Sequence, residues 1–206
     1  MRIRLVATLT LLPILTALVA SPSHARVVAG THMPDSARAG PTLLSLNGVA
    51  VYRKYGVKVL VGGLYLPGPE HDAAKILAAD TPRRYVNRFL RRVGAKRVRD
   101  EWRKGLARNT PNASAEVRAQ FQELCGWATD FRQGDEIDVT YVPGTGSLVL
   151  IKGERKGVIP GKGFSDAYLA LTLGPNPGLG VGFKRRLLGM ESVRASAPRS
   201  ARRRSP

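Results

Sequence analysis

The chain has 206 residues, 43% hydrophobic and 23% charged, so it can bury one ordinary core and is not disordered throughout. A single cysteine excludes a disulfide-stapled fold and multi-cysteine metal sites, and three scattered histidines (His24, His32, His71) argue against a histidine-rich one. The net charge of +18 leaves two readings open, a polyanionic partner or a solvated basic exterior.

The first residues set location. Arg2 and Arg4 precede an apolar run from Leu5 to Ala20, and Ser23 and Ala25 place small residues three and one before a cut after Ala25. Positive, apolar and small zones in that order describe a secretory signal. The apolar run is short for a bilayer span and Pro13 interrupts it. The expectation is export, to the periplasm in a Gram-negative cell. Residues 26–42, polar and small with Pro34 and Pro41, read as a flexible lead. Residues 43–189 form the expected domain. Residues 190–206, with Arg202, Arg203 and Arg204 among Ser, Ala and Pro, read as a disordered basic tail.

Within the domain, period-2 and period-3.6 patterns alternate in blocks. Leu43–Leu46 and Val49–Tyr52 read as strands joined by an Asn47-Gly48 hairpin turn. Val57 to Leu66 is a β stretch whose Gly62-Gly63 pair suggests a bulge or a close backbone approach. Pro69 is expected to open a short helix through Ala73, Ile76 and Leu77. From Arg83 to Val93 the pattern is β again, with Tyr85, Asn87, Phe89, Arg91 and Val93 on one face.

Val98, Trp102 and Leu106 recur every four residues and mark an amphipathic helix. A second helix buries Val117, Phe121, Leu124 and Cys125, which makes Cys125 a small core residue rather than a nucleophile. Ile137, Val139 and Tyr141 alternate on a strand, Pro143-Gly144-Thr145-Gly146 turns the chain, and Ser147–Ile151 returns. Lys152-Gly153 leads to a further strand over 156–159. Helices over 164–173 and 183–188 finish the domain. Hairpins and grouped helices imply an α+β fold, with helices on one face of an antiparallel sheet.

The standard catalytic constellations are absent. Gly161-Lys162-Gly163 lacks the spacing of a phosphate loop, and Gly178-Leu179-Gly180-Val181-Gly182 lacks the strand and acid of a dinucleotide site. No Gly-x-Ser-x-Gly elbow occurs. Asp135 and Glu136 fall on opposite strand faces, so they read as a solvated strand end rather than an acid/base pair.

The order of several short motifs carries a resemblance. These are Leu46-Asn47-Gly48-Val49-Ala50-Val51-Tyr52-Arg53-Lys54, then residues 58–66, Gly134-Asp135, residues 141–147, residues 161–167, residues 173–177 and residues 184–189. Together they resemble the chalcone isomerase-like family, in its exported bacterial branch. The resemblance implies an open-faced β-sandwich, a large antiparallel sheet with helices layered on one face and a cleft between. It also implies a reaction class, intramolecular ring closure with hydroxyl donors at a developing enolate. The family positions that carry those donors fall on Leu60, Val98 and Leu171, with Glu101 and Gly105 at the lysine and asparagine positions. Leucine and valine donate no hydrogen bond.

The resemblance therefore implies a non-catalytic member that binds a small apolar or carboxylate ligand, such as a fatty acid, with no cofactor and no metal. Arg53, Tyr65, Trp102 and Tyr141 are the expected ligand-binding residues. Arg53 would supply a planar fork for a carboxylate, Tyr65 or Tyr141 a hydroxyl, and Trp102 either a core anchor or a cleft wall. Two alternatives stand beside this: an isomerase with a rearranged site, and a basic module at a membrane surface. The crowd of cations from Arg83 to Lys104 would suit phosphates. Export and few stacking aromatics argue against nucleic acid, and an anionic membrane is the better polyanion for an exported chain. Protein partners are not indicated by any motif.

Overall fold

The computed structural model describes residues 25–191. Seven strands form one antiparallel meander: β3 (Ser36–Ala39), β4 (Thr42–Lys54), β5 (Val57–Leu66), β6 (Arg83–Phe89), β7 (Glu136–Val142), β8 (Gly146–Ile151) and β9 (Glu154–Ile159), in that spatial order. Strands β1 (Ala25–Val28) and β2 (Thr31–Pro34) make a separate hairpin. Helix α1 (Ala73–Ala78) lies between β5 and β6. Helices α2 (Ala95–Asn109) and α3 (Ala115–Trp127) lie between β6 and β7, and α4 (Lys162–Leu173) and α5 (Val181–Leu187) follow β9. The expected α+β class, with helices layered on one face of an antiparallel sheet, is the class observed.

Strand alternation divides the core in two. Leu60, Leu64, Tyr85, Phe89, Ile137, Val139 and Val149 face the helices and pack with Trp102, Phe121, Phe164 and Tyr168. Val49, Val61, Tyr65 and Val86 point to the opposite face, where Met33 and Val28 of the β1–β2 hairpin cover them. Glycine permits close approach on both faces at one place. A Cβ on Gly62 would lie 2.6 Å from the Phe183 ring of α5, and one on Gly63 would overlap Met33 Cε. The close approach expected from Gly62-Gly63 is therefore real.

Two expectations are corrected. The flexible lead of 26–42 is instead β-structure: β1 pairs with β2, and β3 pairs with β4 and forms an edge of the large sheet. Its short alternating segments gain stability only by covering the apolar back face, which no local pattern reveals. Nor is Asn47-Gly48 a hairpin turn. It interrupts the register of one continuous 13-residue strand, β4. There the Asn47 side chain accepts from Glu70 N (2.9 Å) and donates to the carbonyls of Glu70 and Leu187 (both 3.0 Å), tying the α1 approach and the end of α5 to the strand. A third boundary shifts: α1 starts at Ala73, capped by Asp72 rather than opened at Pro69. The expected signal segment, apart from Ala25, and the tail beyond Glu191 lie outside the described residues.

Candidate functional site

Five elements, β5, β6, β7, α2 and α4, meet around a hollow above β6 without filling it. Phe89 and Ile137 floor it from the sheet, with Val59 and Leu60 on β5, while Val98 and Trp102 of α2 and Leu171 of α4 roof it. The roof is held by contacts that the sequence spaces far apart. Gly105 lets α4 close on α2, since a Cβ there would sit 2.7 Å from Leu171 Cδ2. Asn109 receives Asn176 N (2.8 Å) and donates to Asn176 O (3.0 Å), which docks the loop carrying Gly178 and Leu179 as a side wall. The result is a cavity of about 110 Å³.

Its walls are mostly apolar, but polar side chains reach it, Tyr52 of β4 among them. Tyr85 and Asn87 project from β6, and Tyr168 and Thr172 from α4. The Tyr85 hydroxyl lies 3.2 Å from Thr172 Oγ1. The Asn87 Oδ1 atom is buried and has no hydrogen-bond partner among the described residues. Burial raises the Tyr85 phenol to about 12, although its hydrogen bond with Thr172 acts in the opposite sense. Burial pushes the Tyr168 phenol upward as well, reinforced by Tyr85. Both stay neutral at ordinary pH, so the interior presents only neutral donors and acceptors. Formal charge appears where the lining reaches solvent: Arg97 and Glu101, both exposed, stand one helical turn apart on α2 with 3.9 Å between their charged groups. A guanidinium and a carboxylate at this distance and exposure hold each other weakly.

Of the residues expected from sequence, only Trp102 lines this cavity. It serves as both core anchor and wall, being 7% exposed. Arg53 is solvent-exposed near the end of β4 and lies outside the lining. A bulge between Tyr52 and Arg53 separates it from Tyr52, which does line the cavity. Tyr65 is on the opposite sheet face, packed with Met33 and stacked under Arg84 at 5.7 Å, and burial raises its phenol to about 12. Tyr141 is buried at the far end of the helix-covered face, where its hydroxyl donates to Asp80 (2.6 Å) and its ring lies 5.1 Å from the Arg83 guanidinium. These three side chains do not converge on the cavity or on one another.

The expectation of a cavity without hydroxyl donors is also overturned. Tyr52, Tyr85, Tyr168 and Thr172 bring four hydroxyls to its lining. Part of the signal was present in the strand pattern, which put Tyr85, Asn87 and Phe89 on one face. The family's late-helix threonine position falls on Leu171, one residue from Thr172. Tyr168 carried no separate signal, because its helical stripe reads as core.

A search of curated proteins finds no match to the sequence. A solved fatty-acid binding protein of Arabidopsis thaliana superposes with a TM-score of 0.60 and 17% sequence identity, over 80% of this chain and 96% of that one. At that identity the likeness shows a common fold. A family described as chalcone isomerase-like matches residues 25–189, which takes in every strand and helix described above. The chain therefore belongs to the chalcone isomerase-like family.

Proposed function

We propose that this protein is an exported, non-catalytic carrier or sensor of a small apolar molecule held in the cavity between β6 and helices α2 and α4. One observation carries the reading: an apolar hollow whose polar groups include a buried, unpartnered Asn87 Oδ1, a group that costs free energy until something donates to it. The fatty-acid binding of the superposed plant protein supports ligand binding in this fold. Export rests on the three zones of the N-terminus, and the family match begins at residue 25, the last residue before the expected cut.

Size and charge shape the ligand. A cavity of roughly 150 Å³ accommodates benzene, so the smaller 110 Å³ here suits a short alkyl segment, with anything longer leaving through the mouth. A carboxylate inside would lose its hydration among neutral groups at a cost of several kcal/mol (on the order of the penalty for a buried ion). An acid therefore binds with its chain inward and its head at Arg97, the position that takes over the role expected of Arg53. Calorimetry with octanoic acid and with octanol tests this. Both bind the native protein, and Arg97→Ala weakens the acid about tenfold, the scale of one charge-assisted hydrogen bond, while leaving the alcohol unchanged. Failure of both ligands to bind sinks the reading.

The Tyr85–Thr172 hydroxyl pair favours a second reading, an isomerase with a rearranged site, because such a pair can support a developing enolate oxygen. The small volume and the absence of a cation in the interior weigh against a two-ring substrate. Chalcone-to-flavanone absorbance above the buffer rate, lost in Tyr85→Phe, would establish it.

A further inference from the structure

The β4–β5 hairpin ends in a two-residue turn, Tyr55-Gly56, with Lys54 paired to Val57. Tight hairpin turns of this kind need positive φ at both central residues, which favours Asn-Gly or Gly-Gly. Here the first position is a tyrosine at φ 50°, an uncommon state for an aromatic residue. Its side chain is 93% exposed and next to Val57, itself 47% exposed. Neither contributes to either core cluster. Arg53 and Lys58 are exposed beside them, and Lys54 lies 5.5 Å from the Tyr55 ring. None of these three cations forms an ion pair among the described residues. No acidic residue occurs between Asp35 and Glu70. The strands that carry this tip lead directly to the cavity: Tyr52 and Val59, flanking it on either strand, are both in the lining.

We infer that this tip is a docking element for an anionic lipid bilayer. Tyrosine with an aliphatic neighbour seats at headgroup depth, and the three cations meet lipid phosphates. No described helix is long and apolar enough to cross a membrane, and the tip needs none. It rests on the surface and turns the cavity mouth toward the lipid, from which an apolar molecule can enter without crossing water. Strain at Tyr55 is retained because asparagine, the relaxed choice, has no apolar ring to insert.

The test uses purified protein and vesicles of phosphatidylcholine, with or without 30% phosphatidylglycerol, and no added cavity ligand. The outcome is thus separate from that of the octanoate experiment. Because Cys125 is buried, a Tyr55→Cys variant takes an environment-sensitive dye selectively at the tip. Its emission rises with anionic vesicles and returns to baseline in high salt. Lys54→Glu/Lys58→Glu weakens co-sedimentation at least tenfold, given that each membrane-facing cation contributes about 1 kcal/mol. The matched change Arg38→Glu/Arg155→Glu, both exposed on the opposite sheet face, weakens it less than threefold, given the distance over which salt screens charge. Tyr55→Asn keeps the charge, raises the melting temperature and still weakens binding. A dye that stays dark while the protein sediments, or equal losses from the two charge pairs, overturns the proposal and assigns binding to another basic surface. So does the absence of sedimentation.

Discussion

Two side chains on the helix-covered face of β6, Arg83 and Asn87, four residues apart and toward opposite ends of the strand, solve the same problem differently. At one end Arg83 is 3% exposed, and every arm of its guanidinium is engaged. It donates to Ser165 Oγ and to Ile76 O (both 2.9 Å), pairs with Asp166 and covers the Tyr141 ring. Lys162 binds the other Asp166 oxygen at 2.5 Å. This knot joins α1, α4, β6 and β7. At the other end Asn87 keeps a buried oxygen without a partner beside a hollow. Charge is tolerated where geometry satisfies all of it. An unmet neutral acceptor persists where a ligand can meet it. The difference separates an end of the strand built for stability from the end beside the proposed ligand cavity.

Breaking the knot gives the largest expected effect. Arg83→Met leaves Asp166 with Lys162 alone and strips Ser165 and Ile76 of their donor. It lowers unfolding free energy in urea by about 2–4 kcal/mol, the scale of leaving two buried acceptors without a donor while Asp166 keeps Lys162. A loss under about 1 kcal/mol would remove the distinction between the two ends. The triple change Arg83→Met/Lys162→Met/Asp166→Leu recovers part of the loss, because it removes every charge of the knot together and leaves none unpaired.

Alkaline unfolding comes next and draws on both ends, because Tyr141 in the knot and Tyr65 behind the sheet are raised to about 12 just as the cavity phenol Tyr85 is. A tyrosine ionises near pH 10 in an unfolded chain, whereas Tyr85 ionises at about 12 in the fold and Tyr168 is also raised. Above pH 10 the unfolded state therefore releases its protons first. The stability tied to these phenols is complete below pH 10 and is lost as pH rises through 12. For Tyr85 the loss is on the order of 2 kcal/mol. Melting temperatures measured from pH 8 to 12 fall steeply past 10, and Tyr85→Phe makes the fall shallower.

The smallest effect sharpens the contrast most. Asn87→Val removes the orphan acceptor and is neutral or stabilising by up to ~1 kcal/mol, while octanol binding drops severalfold. The stability comes from denaturant titration and the affinity from calorimetry. Destabilisation beyond 2 kcal/mol would mean that Asn87 is a satisfied structural residue like Arg83.

Much of the fold was legible before any coordinates. The alternation of Ile137, Val139 and Tyr141 and the four-residue spacing of Val98, Trp102 and Leu106 place strand and helix faces as observed. The β7–β8 and β8–β9 turns were readable too, since the turn chemistry of Pro143-Gly144-Thr145-Gly146 and Lys152-Gly153 is local. Asn47-Gly48 misled because the same dipeptide serves a turn or a bulge, and only the arrival of α5 at Leu187 decides between them. The β1–β3 segment hid for a similar reason: strands of four residues become favourable by covering a surface made elsewhere in the chain.

The site was less legible. Trp102 was found through its helical stripe, yet Arg53, Tyr65 and Tyr141 were assigned by residue type and family position, and each faces elsewhere. What the sequence determined alone is whatever depends on neighbours within a few residues: strand and helix periods, most turns, and the α+β class. The tertiary structure alone decided which polar groups share a cavity. Tyr85 and Thr172 are 87 residues apart, and their meeting depends on the packing of α4 against α2 and the sheet, a property that no local window contains.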